Sequence, residues 1–198
     1  MAPTSRKNLT AWLDVQAAEA IDVAADVRRL VPSLLTLAEA MSDAVRAGGR
    51  VFFFGNGGSA ADAQHWAAEL SGRFYLDRPS LSAQALTTNT SAMTAIGNDY
   101  GFVEIFARPL AGAGRLGDVA VGISTSGTST NVLRAFEVAR EQGLMTVGFC
   151  GARTDAVAPL CDHVVSIAST DTPRIQEGHE IAAHLVFAAV ERILFGAP

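Results

Sequence analysis

Cysteine is scarce in this sequence: two residues, Cys150 and Cys161, among 198. Two thiols give no disulfide framework. They read as small buried residues of a reducing compartment. Basic runs are missing too. Fifteen Lys and Arg stand against twenty Asp and Glu, a formal net charge of −5. That balance argues against nucleic acid as a direct ligand, so any affinity for an anion must come from a local site. No apolar run approaches the roughly 20 residues that a membrane span needs. Residues 1–10 are polar and lack an apolar segment, so no signal peptide is expected and the expected compartment is the cytoplasm. Low-complexity tracts and clear repeats are also absent.

What is present fits one domain of ordinary size. The expectation is a single domain over 1–198, with helices over 1–48 for packing and oligomerisation and an α/β core over 49–198. Hydrophobic residues make up 49% of the chain. That is rich for a monomer wet on every side: either several helices are buried or some apolar surface meets other subunits, and the second is expected.

Residues 9–30 carry apolar positions at helical spacing, among them Leu13, Ile21, Val23 and Val27, and Pro32 interrupts the pattern. Ser33 can N-cap a second helix that runs to Arg46 and ends at Gly48 and Gly49. Then the pattern changes. Short apolar runs at 51–54, 83–86, 119–123, 146–149 and 164–167 each lead into a polar or glycine-containing loop. Five continuous apolar strands with helices between most of them predict a parallel sheet covered on both faces. A last helix is expected over about 174–194. In such folds ligands bind beyond the carboxyl ends of the strands, where those loops lie.

Four motifs carry chemistry. Gly55, Asn56, Gly57, Gly58 and Ser59 follow the first strand. The glycines permit close approach of a ligand, and Ser59 can cap a helix whose N-terminus attracts anions. No Gly-Lys-Ser/Thr follows, so this is not a Walker loop; a tight structural turn would read the same way. Ser124, Thr125, Ser126, Gly127, Thr128 and Ser129 follow the third strand. Hydroxyls plus N-terminal amides make an uncharged phosphate cradle, or simply cap the next helix. His65 and Glu69 lie four apart on one helix, able to reach one metal or one substrate atom, or to form an ordinary surface pair. Gln176, His179 and His184 lie on the last helix. Gln176 and His184 are separated by about 12 Å of rise and roughly 80° of rotation, so they are not face-mates. His184 is either functional or a satisfied packed histidine. His163 reads as structural and His179 stays undecided.

Together the segments GNGGSAADAQHWAAEL, LTTNTSAMTAIGNDYG, ISTSGTSTN and DTPRIQEGHEIAAH resemble the phosphoheptose isomerases of the SIS (sugar isomerase) fold, over about residues 45–196. The resemblance implies a flavodoxin-like α/β fold, a five-stranded parallel sheet flanked by helices with an N-terminal helical segment. It implies a homotetramer and an aldose–ketose isomerase acting on sedoheptulose 7-phosphate, commonly with zinc. Carried over position by position, Asn56, Gly57 and Gly58, with Ser59 beside them, fall on a substrate loop, and Asn98 and Asp99 on a second substrate pair. Ser124, Thr125, Ser126 and Ser129 fall on the phosphate cradle. His65, Glu69, Gln176 and His184 fall on metal ligands, with Gln176 also near substrate. Glu69 and His184 also fall on the catalytic base and acid. The rival is a non-catalytic SIS relative that senses phosphosugars or binds a replication initiator. The initiator-binding relative lacks the counterparts of Glu69 and His184, both present here.

Overall fold

The computed structural model describes residues 6–196. Two helices come first, α1 (Arg6–Val27) and α2 (Val31–Arg46), joined by a single 3₁₀ turn. Pro32 does not break a helix there. It occupies the first turn of α2, where its missing N–H is no loss. Ser33 is not the cap: it lies inside the helix and its hydroxyl donates back to the Leu30 carbonyl at 2.8 Å.

The core follows as β1 (Val51–Gly55), α3 (Gly58–Ser71), β2 (Ala83–Ala85), α4 (Thr90–Asp99), α5 (Ala107–Ala113), β3 (Val119–Ser124), α6 (Thr130–Glu141), β4 (Met145–Cys150), β5 (His163–Ser166) and α7 (Thr172–Phe195). All strand pairs are parallel, in the order β2-β1-β3-β4-β5. This is the flavodoxin-like order, and its switch point lies between β1 and β3.

Strand alternation divides the sheet's two faces. Val51 and Phe53 face one core, with Trp66 of α3, Leu37 of α2 and Phe187 of α7. Phe52 and Phe54 face the other, with Leu110 of α5 and Phe136 of α6. Both faces are dry, which is why β1 and β3 read as unbroken apolar runs. Cys150 is buried, Cys161 half-buried, and both thiols are free. Burial pushes the Cys150 thiol up to about 11, so it stays protonated and inert.

Gly122 of β3 is required by packing. A Cβ there would sit 2.5 Å from Phe136 and 2.7 Å from Phe54. Gly122→Ala is expected to cost about 1–3 kcal/mol through overpacking. Urea denaturation checks this, and an unchanged midpoint would contradict it.

Candidate functional site

β1 and β3 end side by side at the switch point and project two loops. After β1, Gly57 takes φ +57° and becomes the residue that starts α3. Ser59 is therefore not the cap; it is buried inside the first turn, against Gly55, where a Cβ would meet Ser59 Cβ at 2.8 Å. After β3, the Ser124 hydroxyl donates to Ser129 Oγ at 2.9 Å and lies 3.4 Å from Ser126 Oγ. Gly127 turns this loop at φ +70°, pressed so closely under the Arg153 carbonyl that a Cβ would lie 2.2 Å from it. A reciprocal amide pair, Asn56 with Asn131 in the first turn of α6, at 2.9 and 2.8 Å, ties the glycine loop to the helix that follows the hydroxyl loop. Beside the hydroxyl loop lies a cavity of about 200 Å³ lined by Thr125, Ser126, Arg153, Ser169, Thr170 and Thr172. Its hydroxyls, Arg153 and the start of α7 at Thr172 suit an anionic group.

A second group of side chains lies between α3 and α7. His65 Nε2 is 3.2 Å from His184 Nε2. Glu69 Oε1 is 3.4 Å from each imidazole. Glu180 Oε2 is 3.4 Å from His184 and 3.8 Å from His65. Glu180 Oε1 accepts a hydrogen bond from Trp66 Nε1 at 3.1 Å. Glu69 is mostly buried, and its Oε2 has no partner. A buried carboxylate oxygen without a donor needs an explanation, and a cation or a transferable proton supplies one. Burial raises the Glu69 carboxyl above its ordinary value, against the pull of His184 and His65. Burial, then the adjacent Glu180 charge, push Asp62 up to about 7. A donor set of two imidazoles and two carboxylates suits zinc, so the residues present fit the implied metal.

The structure thus joins His65, Glu69 and His184, three of the four expected metal residues. Gln176 stands apart from them in its bonding. Its Nε2 lies where a Gly58 Cβ would be, 2.0 Å away, so its side chain packs on the glycine loop. Asn98 and Asp99 close α4, exposed, and Asn98 donates to Asp99 at 2.8 Å. Among the described residues, no hydrogen bond or ion pair links them to the α3–α7 cluster. His179 is a core residue: buried, its Nε2 donating to the Cys150 carbonyl at 3.1 Å, and pulled down to about 4 by that burial.

The sequence reading missed Glu180 and Asn131. Glu180 repeats with His184 the four-residue spacing of His65 and Glu69, and that was its available signal. Asn131 stands two residues after the last serine of the hydroxyl loop, within the segment ISTSGTSTN.

Comparison with known proteins follows the same lines. The SIS domain family matches residues 17–151. The phosphoheptose isomerase of Rhodospirillum rubrum is 51% identical over 163 residues, 82% of this chain and 87% of that protein. The one from Burkholderia pseudomallei strain 1710b is 49% identical over 168 residues, 85% of each. The solved structure of the phosphoheptose isomerase from Neisseria gonorrhoeae superimposes with a TM-score of 0.87 at 38% identity, covering 92% of this chain and 98% of that one.

Proposed function

The chain belongs to the phosphoheptose isomerases of the SIS-domain family, and on that premise we propose that it interconverts sedoheptulose 7-phosphate and D-glycero-D-manno-heptose 7-phosphate. The observation that carries the reading is Glu69, a mostly buried carboxylate with one free oxygen, set against two histidines. The hydroxyl loop supports the phosphate end. Ser124, Thr125, Ser126 and Ser129 hold the phosphate there, while Asn56, Gly57, Gly58, Ser59 and Gln176 border the sugar, with Asn98 and Asp99 as a further substrate pair.

The chemistry moves one proton between adjacent carbons through an enediol. Glu69 takes the proton from C1 of the ketose and returns it to C2 of the aldose. Its raised affinity for a proton makes it a better base than an exposed carboxylate. His184 serves the sugar oxygen, giving and recovering a proton there. Zinc, held by His65, Glu69 and His184, would polarise the carbonyl as a Lewis acid.

We also propose a homotetramer in the cytoplasm. Trp12, Leu13, Val15 and Ile21 of α1 are exposed, and α1 buries only Val27, which supports a partner on that helix. Among the described residues no helix is long and apolar enough to cross a membrane.

The test is product formation from sedoheptulose 7-phosphate by purified protein, before chelation, after it, and with zinc added back. Turnover lost on chelation and restored by zinc is expected. Turnover indifferent to chelation removes the metal from the reading. A folded protein that binds the sugar phosphate without converting it would make the chain a phosphosugar-binding scaffold.

A separate expectation concerns the cradle. Ser124→Ala removes the hydroxyl that bonds Ser129 and is expected to raise KM about tenfold, with kcat changed far less, by loss of roughly one charge-assisted hydrogen bond. Steady-state kinetics check it. An unchanged KM would take Ser124 out of the cradle.

A further inference from the structure

We infer that Asn131 is a positioning residue of the isomerisation: its amide sets where the glycine loop stands relative to the hydroxyl loop, and so where the sugar carbons stand relative to the held phosphate. The inference rests on the isomerase reading above. Asn131 lies in the first turn of α6, two residues after Ser129, and is only 2% exposed. Its Nδ2 donates to Asn56 Oδ1 at 2.8 Å, and its Oδ1 accepts from Asn56 Nδ2 at 2.9 Å. Each amide thus supplies the other with a donor and an acceptor. Removing either one leaves the other's buried polar atoms without those partners.

The pair stands where the sheet stops holding the two loops. The β1–β3 ladder ends at Gly55 with Ile123, and Asn56 with Asn131 is the next link beyond it. Gly57 and Gly58 have no side chain with which to anchor the loop. Gly57 faces open space, with nothing within 4 Å of where its Cβ would be. No side chain of the described residues caps α3, so the first N–H groups of that helix stay free for a ligand. The Asn56 amide is spent on Asn131, so the loop meets the sugar through its backbone. Backbone donors are placed only as well as the loop that carries them. One amide pair therefore keeps the sugar end of the site in register with the phosphate end. A shift of about 1 Å between them is enough to cost roughly 10²-fold in rate.

The test uses the full chain. It combines steady-state kinetics on sedoheptulose 7-phosphate, inhibition by inorganic phosphate as the probe of the hydroxyl loop, and a thermal melt. Asn131→Leu is expected to lower kcat about 10–100-fold, while the inhibition constant for inorganic phosphate stays within about twofold of wild type. Asn56→Leu combined with Asn131→Leu should cost no more than Asn131→Leu alone, because both changes remove the same pair. Asn131→Asp is the second arm, and it serves should the leucine variant not fold. A neutral aspartic acid can give its O–H to Asn56 Oδ1 and accept from Nδ2, whereas the ionised form has lost the donor. The kcat of Asn131→Asp relative to wild type at the same pH is therefore expected to recover as pH falls. A lowered melting point with kcat intact would make Asn131 structural only and overturn the inference. So would a rise in KM and in the phosphate constant with kcat unchanged, or an Asn131→Asp ratio that does not move with pH. Wild-type protein without turnover would overturn the isomerase reading and this inference with it, a result distinct from variants that match an active wild type.

Discussion

Glu69→Gln is expected to lower kcat by about 10²–10⁴-fold, the range that a positioned general base supplies. The amide keeps the shape of the side chain and removes its capacity to take a proton. Folding should survive the change. Burial already opposes ionisation of Glu69, so its folded pKa is raised. A carboxylate with a raised folded pKa favours the folded state least at a pH where it is ionised. In metal-free protein at neutral pH the neutral amide should therefore be as stable as wild type or more so. Kinetics with sedoheptulose 7-phosphate and a thermal melt of the chelated protein measure the two effects. Undiminished turnover would remove Glu69 as the base.

The second large effect lies behind the site. Arg78 and Glu191 form an ion pair at 2.8 Å, with both side chains 1% exposed. Glu191 also accepts the backbone N–H groups of Phe74, Tyr75 and Leu76 at 3.0, 2.8 and 3.0 Å. Burial raises the Glu191 carboxyl, but those donors and Arg78 outweigh it and hold the group below its ordinary value. Arg78 in turn donates to the carbonyls of Glu69, Leu70, Gly72 and Pro79. The pair thus clips the end of α3, and the segment after it, onto α7. Phe74 on that segment stacks against His184, with ring centres 5.5 Å apart. Removing one partner strands the other charge in a dry interior. Glu191→Ala or Arg78→Ala is expected to cost about 3–5 kcal/mol. The double change Arg78→Met with Glu191→Leu should recover much of that loss, since well-packed apolar residues can replace a buried pair. Urea denaturation followed by circular dichroism decides. A loss under about 1 kcal/mol in the single variants would contradict the clip.

The strands were legible in the sequence because both faces of the sheet are buried, and a strand dry on both sides reads as one apolar run. Helix starts were less legible. Ser33 and Ser59 both look like caps, yet Pro32 and the left-handed Gly57 begin their helices earlier. His65, Glu69 and His184 were found by motif, but only the packing of α3 on α7 brings them together. Glu180 was passed over although its spacing to His184 copies that of His65 to Glu69. The Arg78–Glu191 pair had no local signal at all, because its members lie 113 positions apart.

The most direct test of the central claim is the reaction run in D₂O and followed by proton NMR. Wild-type protein is expected to convert sedoheptulose 7-phosphate into the aldose 7-phosphate, with deuterium entering at C2 in the fraction of turnovers where the proton on Glu69 exchanges with solvent at the enediol stage, and Glu69→Gln should lose both. Folded wild-type protein that binds the sugar phosphate yet shows no conversion and no exchange at C1 would contradict the isomerase account.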